Sequence, residues 1–382
     1  MIDQEVIDLT AELVRIDSVN SDLVPGARGE SVIADYIAHW FVERGFEVHR
    51  LEKFAGRPSI VGIAKGSGGG RSLMLNGHTD TVSLGSYEGD GTSPEIRDGK
   101  MYGRGTFDMK GGLAAMMIAA ERAKKRGIKG DVIVACVSDE EAGSIGTEEV
   151  LEKFTADGGL VVEPSYLQVT MAHRGFAWFE VTIHGLAAHG SRPDLAIDAI
   201  AHAGHFLVAL DEHAKGLALS AGDPRLGPGS IHASLIKGGE EASSYPAACV
   251  ITIERRTIPG ETDEMLTAEM RQLLDGLVER IPDFSYTLTP GLSRRPFSAN
   301  PDADIVKKTL AHVENVLGAP PVIRAEPFWT DAALMEEAGI PSLLFGVDGD
   351  GAHAAAEWVT LDSLGKVTAA LTAIALDFCN SH

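Results

Sequence analysis

Four short apolar runs in the first half of the chain constrain its fold more than any other feature. Glycine-rich breaks separate these runs, which occupy residues 59–64, 72–78, 131–141 and 159–165. A helical stretch at 111–127 lies between the second and third runs, and residues 3–16 and 29–45 also have apolar positions at helical spacing. Strands that are apolar on both faces and alternate with helices are typical of an α/β unit around a largely parallel sheet.

The pattern of the chain changes near residue 177. Segments follow in the order strand, helix, strand, strand, helix, strand, at residues 178–185, 195–215, 230–239, 248–260, 262–280 and 284–290. This is the order of the ferredoxin-like arrangement, in which two helices back an antiparallel sheet.

The α/β pattern resumes after about residue 290. The predicted elements there are helices at 302–317, near Asp331 and from 361, and a strand at 341–347. The length of 382 residues exceeds the roughly 100–200 residues of one domain, which favours two domains. We therefore predict a main α/β domain at 1–176 and 290–382, interrupted by an inserted α+β domain at 177–289.

Composition and charge argue against several classes of protein. The formal net charge is −22 and no basic patch offsets it, which argues against nucleic acid as a partner. No apolar run reaches the ~18–20 residues of a membrane span, and the acidic, amphipathic N-terminus is unlike a signal peptide. We therefore expect a cytoplasmic protein with no membrane partner. The cysteines Cys136, Cys249 and Cys379 are widely spaced and lack a CxxC pair, so we expect neither a disulfide framework nor a thiolate zinc site.

Polar clusters stand at or just beyond the ends of the apolar strands, where open α/β sheets place their active sites. They are Gly77-His78-Thr79-Asp80, the segment 105–111 around Asp108, the segment 138–143 around Glu140 and Glu141, Glu163-Pro164, and Gly351-Ala352-His353 with Glu357 four residues on. Each has an ordinary interpretation, as a packed histidine, a helix cap, a solvated acidic patch or a turn. Together, however, these charged groups at one sheet edge would be costly unless cations neutralise them.

The charges of these candidate ligands suit two divalent cations. Asp108, Glu141 and Glu163 supply about −3 against about +4, with His78 and His353 neutral, which leaves room for one hydroxide. Histidine and carboxylate ligands without thiolate suit catalytic zinc, with cobalt or manganese as alternatives. Asp108 is the best candidate to bridge two ions roughly 3.5–4 Å apart.

Two further acids have predicted roles beside these ligands. Asp80 follows His78 closely and is placed to hold the tautomer of its imidazole. The adjacent Glu140 and Glu141 cannot both point the same way in an extended chain. Glu141 can therefore bind a metal ion while Glu140 stays free to take a proton from water, the division of labour that hydrolysis requires.

The chain resembles the metallopeptidase and deacylase family that includes acetylornithine deacetylase, succinyl-diaminopimelate desuccinylase, aminoacylase-1 and carboxypeptidase G. The resemblance covers nearly the whole chain in order, through the motifs GHTDTV, GRGTFDMKGG, SDEEAGS, VVEPS, HGLAAHGS, ERRTIPG and GAHAAAEWV. It implies a zinc-aminopeptidase-like catalytic domain and an inserted lid that forms dimers. It also implies that His78, Asp108 and Glu163 hold one metal ion, that Glu141, Asp108 and His353 hold the other, and that Glu140 is the general base.

The resemblance also implies roles for residues of the inserted domain. His189 matches a histidine that reaches the active site of a partner subunit and supports the oxyanion. Arg256 matches an arginine that grips a substrate carboxylate, and Gly238-Gly239 matches a glycine pair of the lid. An asparagine often found after that pair is replaced by Ser243 or Ser244, which leaves this substrate contact open.

Three other features have less specific interpretations. Trp329-Thr330-Asp331 resembles a Thr-Asp step of the family, with a tryptophan that either shapes the pocket or packs. His202 and His205 have ligand-like helical spacing but no carboxylates around them, so we interpret them as surface or core histidines. The Ala-His-Arg-Gly run at 172–175 is interpreted as a hinge and substrate-side wall.

These residues predict two-metal hydrolysis of the amide bond of a small N-acyl amino acid. The Glu-Pro form of the ligand at 163 and the run at 172–175 favour members similar to the deacetylase or desuccinylase. One alternative is a metal-dependent dipeptidase or carboxypeptidase with the same metal ions. Another, of a different class, is a catalytically silent homologue that binds metal or amino acids, against which the intact Glu140 counts.

Overall fold

A computed structural model describes residues 3–381 of the chain. Met1 and Ile2, which open the predicted main α/β domain, and His382, which closes it, lie outside the described residues. The helices are α1 (Gln4–Val14), α2 (Ser31–Glu43), α3 (Gly111–Arg126), α4 (Ile145–Leu151), α5 (Ala199–Ala218), α6 (Asp263–Arg280), α7 (Asp304–Leu317), α8 (Ala332–Glu337) and α9 (Leu361–Asn380). The strands are β1 (Glu47–Leu51), β2 (Ser59–Ala64), β3 (Leu73–His78), β4 (Glu95–Arg97), β5 (Lys100–Tyr102), β6 (Val132–Val137), β7 (Gly158–Val161), β8 (Val169–His173), β9 (Gly175–His184), β10 (Ser230–Gly238), β11 (Ala248–Thr257), β12 (Ser285–Arg294), β13 (Phe297–Ser298), β14 (Ile323–Glu326), β15 (Ser342–Phe345), β16 (Gly349–Asp350) and β17 (Trp358–Thr360).

The chain divides into two compact units. Among the described residues, the larger unit comprises 3–171, Ala299–Arg324 and 330–381, and the smaller unit comprises Ala172–Ser298 and Ala325–Trp329. The inserted domain predicted at 177–289 falls within the first segment of the smaller unit. Its boundaries stay a prediction.

The larger unit is built on a mixed sheet whose strands run in the order β1-β2-β6-β3-β7-β15-β8. The central pairs β6–β3, β3–β7 and β7–β15 are parallel, whereas the outer pairs are antiparallel. Every residue of β2, β3, β6 and β7 is buried. Helices α2 and α4 contact β2, and α3 and α9 contact β3, which accounts for strands that are apolar on both faces.

A second, four-stranded sheet of the larger unit was not predicted. Its order is β16-β17-β5-β4, and all of its pairs are antiparallel. The pairing of β5 with β17 places Tyr102 opposite Trp358. It thereby joins two loops that are far apart in sequence, the one after β5 and the one before β17.

The smaller unit contains an antiparallel sheet of order β10-β11-β9-β12 with α5 and α6 against it. Its core includes Phe206 of α5, Leu274 of α6 and Ile251 and Ile253 of β11. This is the ferredoxin-like arrangement, so the predicted fold class of an α/β sheet domain with an α+β insertion is confirmed. Among residues 3–381, none of the helices combines the length and apolar character needed to cross a lipid bilayer.

Candidate metal and catalytic site

Three neighbouring parallel strands end at one edge of the sheet of the larger unit. β3 ends at His78, which pairs with Val137 at the end of β6, and Asn76 of β3 pairs with Val161 at the end of β7. Glu140 and Glu141 therefore follow β6, and Glu163 follows β7, at the edge that carries His78.

The first candidate ligand group consists of His78, Asp108 and Glu163, whose ligand atoms all lie within 4.8 Å of one another. Nε2 of His78 is 3.2 Å from Oδ1 of Asp108 and 3.6 Å from Oε1 of Glu163. His78 is buried, and its Nδ1 is 2.9 Å from the main-chain carbonyl of Asp80. The backbone of Gly346 approaches so closely that a Cβ there would stand 2.0 Å from the Glu163 carbonyl. The backbone just after β15 thus packs directly against the segment that carries Glu163.

The second candidate group consists of Asp108, Glu141 and His353, with ligand atoms within the same distance of one another. Nε2 of His353 is 2.9 Å from Oε2 of Glu141 and 3.5 Å from Oδ2 of Asp108. One carboxylate oxygen of Asp108 therefore faces each histidine, so Asp108 belongs to both groups. The other oxygen of Glu141 is buried and accepts no hydrogen bond from any described residue. An orphaned buried carboxylate oxygen is costly, which fits a ligand whose partner is a cation.

The segment that carries Asp108 is an irregular turn. Residues Thr106–Lys110 form one π-type turn before α3, and Asp108 itself has extended backbone angles. The peptide bond between Asp108 and Met109 is cis.

The carboxylate of Asp80 makes contacts that sequence reasoning did not foresee. It accepts hydrogen bonds from the backbone N–H groups of Glu140 and Glu141, both at 3.2 Å, and from the side-chain amide of Asn20 at 2.7 Å. Its Oδ1 is 3.6 Å from Nδ1 of His78, farther than the Asp80 carbonyl. Asp80 therefore holds the pair of adjacent glutamates as well as standing beside the histidine.

A buried polar network behind Asp80 was also missed. The amide of Asn20 donates to Asp139 at 3.1 Å as well as to Asp80, and Arg57 pairs with Asp139, Glu30 and Asp22. No motif connects these residues in sequence. In the sequence these residues are marked only by their polarity, and the apolar pattern does not place them in the interior.

Glu140 stands beside the ligand groups without belonging to either of them. Its Oε2 is 4.0 Å from Nε2 of His78, and 12% of its side chain is exposed. Burial raises the pKa of the Glu140 carboxyl well above its ordinary value, and the charge of Glu163 raises it further. A carboxyl whose pKa is raised in this way is suited to accept and return a proton in catalysis.

The remaining titratable groups of the site also suit the binding of divalent cations. Burial and the charge of Asp108 raise the pKa values of Glu163 and Glu141. Burial lowers the pKa of His78, but neighbouring carboxylates outweigh it and hold that pKa well above its ordinary value. A donor set of carboxylates and histidines without thiolates is that of a catalytic zinc site. The residues present therefore fit the metal ions that the sequence predicts.

Metal binding should release protons from this site. Hydrogen bonds to Asp108 and Glu141 raise the pKa of His353 to about 10, so this imidazole is protonated at neutral pH in the metal-free protein. A histidine ligand must be neutral, and the affinity for Co²⁺ should therefore rise from pH 6 to pH 8. Because the pKa of His353 is higher in the folded protein than in the unfolded chain, its protonated imidazole stabilises the metal-free fold. This stabilisation is fully present below pH 6.5, the ordinary pKa of histidine, and is lost as the pH rises through about 10. Calorimetric titration in buffers of different ionisation enthalpy should detect the released protons. Binding with no proton release would contradict a ligand role for His353.

The other predicted site residues lie in the smaller unit. His189 is exposed, and its Nδ1 is 2.8 Å from Oγ of Ser191. Arg256 pairs with Glu254 at 2.9 Å and lies over the ring of Phe176.

Gly238 and Gly239 stand at the end of β10, where Gly239 has a φ of +75° that favours glycine. The carbonyl of Ser243 accepts from Gly190, and the hydroxyl of Ser244 donates to Glu241. Substrate roles for all of these residues stay predictions.

The less specific features also have defined surroundings. Asp331 is buried and accepts a hydrogen bond from Thr147 at 2.6 Å, and burial raises its pKa to about 6. His202 packs against the ring of Phe284. Trp329 donates its indole N–H to the carbonyl of Arg295.

The fold and this site define a class. Two carboxylate–histidine groups that share one aspartate, at the edge of an α/β sheet and beside a free glutamate, are the arrangement of a metal-dependent hydrolase. Residues 74–377 match the model of the peptidase family M20/M25/M40, so the chain belongs to that family.

Individual relatives and a solved structure are similar to the chain over most of its length. The chain is 30% identical over 383 residues to the acetylornithine deacetylase of Myxococcus xanthus, with 97% of each chain covered. It is 29% identical to the succinyl-diaminopimelate desuccinylase of Parvibaculum lavamentivorans, over 78% of this chain and 76% of that protein. A tripeptidase structure from Staphylococcus aureus has a TM-score of 0.80 at 21% identity, with 99% of each chain covered, and supports the fold. The chain is a metal-dependent amidohydrolase, as predicted.

Proposed function

We propose that the chain removes the acyl group from a small N-acyl amino acid by hydrolysis of its amide bond, with two divalent ions, zinc in the cell. The observation that carries this proposal is the position of Asp108 in both ligand groups, with Glu140 beside them. The names of the relatives, a deacetylase and a desuccinylase, support the acyl amino acid as the substrate class.

His78, Asp108 and Glu163 would hold one ion, and Asp108, Glu141 and His353 the other. When bound, the ions supply Lewis acidity and lower the pKa of water. Glu140 accepts the proton of the attacking water and then passes it to the leaving amine, so that the amine departs neutral. His189 donates a hydrogen bond to the oxyanion, and Arg256 grips the α-carboxylate of the substrate in place of Glu254.

A substrate panel tests the proposal. The purified protein, loaded with zinc or with cobalt, is assayed on N-acetylornithine, N-succinyl-diaminopimelate, an N-formyl amino acid and a set of dipeptides. Turnover of one of the acyl amino acids at least tenfold above the dipeptides supports the proposal. Preference for dipeptides would establish the dipeptidase alternative, and metal binding without turnover of any substrate would establish the silent homologue.

Replacing Asp80 with asparagine should lower kcat more than it changes KM. The carboxylate accepts from two backbone amides and from Asn20, whereas asparagine turns an NH₂ group toward one of these donors. Groups that orient ligands in this way are typically worth about 10- to 100-fold in activity or metal affinity. The measurement is kcat and KM on the best substrate of the panel. Asp157→Asn, at an exposed aspartate of the same unit, is the control and should match the wild type. Equal effects of the two substitutions would rule out this role for Asp80.

We further propose a homodimer in the cytoplasm, in which His189 completes the site of its partner. Support comes from the exposure of His189 and of most of the edge strand β10. All three cysteines are free and buried, as suits a reducing compartment.

Mixed dimers test whether His189 acts across subunits. Glu140→Gln and His189→Ala are each expected to be nearly inactive alone. After the two variants are mixed and reassorted, half of the dimers are hybrids with one site that has both residues intact, so about a quarter of the wild-type activity should return. If His189 serves its own subunit, mixing restores no activity.

A further inference from the structure

Glu357 is a fully buried carboxylate whose four hydrogen-bond donors all belong to one short segment. Its Oε1 accepts from the backbone N–H groups of Phe107 at 2.9 Å and Asp108 at 3.0 Å. Its Oε2 accepts from the backbone N–H of Gly105 at 3.0 Å and from Nη1 of Arg104 at 2.8 Å. Its side chain has no solvent exposure. Segment 104–108 therefore donates hydrogen bonds to both oxygens of the Glu357 carboxylate.

This segment carries the aspartate that both ligand groups share. Asp108 has extended backbone angles inside an irregular turn, so no helix or strand ladder holds its amide. The amide of Asp108 itself donates to Glu357. Fixing that amide fixes the origin of the side chain whose two oxygens face His78 and His353.

Glu357 also belongs to the segment that carries the candidate ligand His353. Glu357 follows His353 by four residues, and its own carbonyl accepts from the N–H of Gly103 at 3.1 Å. Arg104, which pairs with the Glu357 carboxylate, also donates to the carbonyl of Ala354 at 2.9 Å. Segment 103–108 therefore donates hydrogen bonds both to the side chain of Glu357 and to main-chain carbonyls of segment 353–357.

We propose that Glu357 is a positioning residue that holds Asp108 and His353 in the arrangement in which both ligand groups take up divalent ions. The inference rests on the proposed two-ion function. A carboxylate is required because all four contacts come from donors. Glutamine has one acceptor oxygen and would turn its NH₂ group against at least one of these donors.

Cobalt binding tests this role apart from activity. The metal-free wild type and the variants Glu357→Gln and Glu357→Asp are titrated with Co²⁺, and the visible absorption of the bound ion and the dissociation constants are recorded. We expect Glu357→Gln to raise the dissociation constant about 10- to 100-fold and to change the absorption bands. Glu357→Asp keeps the charge but is one methylene shorter, and it should lie between the wild type and Glu357→Gln.

The control is Glu121→Gln. Glu121 is also a buried acid of the larger unit, but it pairs with Lys125 on α3 and with Arg44, which directly follows α2. It should bind Co²⁺ as the wild type does, whatever its melting temperature. Wild-type affinity and spectrum in Glu357→Gln would overturn the proposal, and so would an equal loss of affinity in Glu121→Gln.

The variant Glu357→Asp tests the positioning role of Glu357 if Glu357→Gln does not fold. Weakened Co²⁺ binding in the folded aspartate variant supports positioning, and unchanged binding overturns it. A wild type that binds no Co²⁺ and hydrolyses no substrate would refute the proposed function itself. A wild type that binds and hydrolyses while Glu357→Gln binds equally well would refute only the role of Glu357.

Discussion

Replacing Glu140 with glutamine is expected to lower kcat by about a thousandfold while both ligand groups still bind metal. Glu140 lies 4.0 Å from Nε2 of His78 and outside both groups, so its substitution removes no ligand. Glutamine keeps the size of the side chain but cannot accept the proton of water, and loss of a general base typically costs about 10²–10⁴ in rate. The measurements are single-turnover rates and metal content by elemental analysis.

Glu141→Gln is the matched comparison, because its side chain has the same length on the next residue. It should lose metal as well as activity, since Glu141 is a candidate ligand with a buried, orphaned oxygen. A Glu140→Gln variant that retains wild-type turnover would exclude Glu140 as the base. One that loses metal would make Glu140 a ligand instead.

Replacing Asp108 with asparagine is expected to abolish the binding of both metal ions and to lower the activity roughly a thousandfold or more. Its Oδ1 is 3.2 Å from Nε2 of His78 and its Oδ2 is 3.5 Å from Nε2 of His353, so the single carboxylate serves two groups. Asparagine removes the charge that would lie between two cations. The measurement is the number of Co²⁺ ions bound per chain.

His353→Ala provides the comparison for Asp108. It removes a ligand of only one group, so it should retain about one ion per chain, held by His78, Asp108 and Glu163. If Asp108→Asn keeps one tightly bound ion while His353→Ala keeps none, the shared-ligand interpretation is wrong.

Hydrophobic periodicity was sufficient to predict the main elements of the fold. The run at 59–64 is β2, and the helical stretch at 111–127 is α3, because uninterrupted burial leaves a clear apolar pattern. The strand predicted at 284–290 begins as β12 but continues to Arg294, through a register shift after Pro290 that no periodicity announces.

The small sheet β16-β17-β5-β4 could not be predicted, because its strands have only two or three residues and its central pair, β17 with β5, joins residues more than 250 positions apart in sequence. The candidate ligands could be predicted because each stands at a strand end or a conspicuous polar cluster. The residues that support these ligands could not be predicted. Asn20 contacts Asp80 and Asp139 across 60 and 119 positions, and only tertiary structure brings such partners together.

The two candidate groups differ in how much water reaches their histidines. The side chain of His78 is 1% exposed, whereas that of His353 is 54% exposed. We therefore expect that an ion bound beside His353 would exchange with solvent ions without opening of the core, whereas an ion bound beside His78 would exchange more slowly. This asymmetry would let the protein be prepared with two different metals in a defined order, the buried group filled first and the open one replaced afterwards.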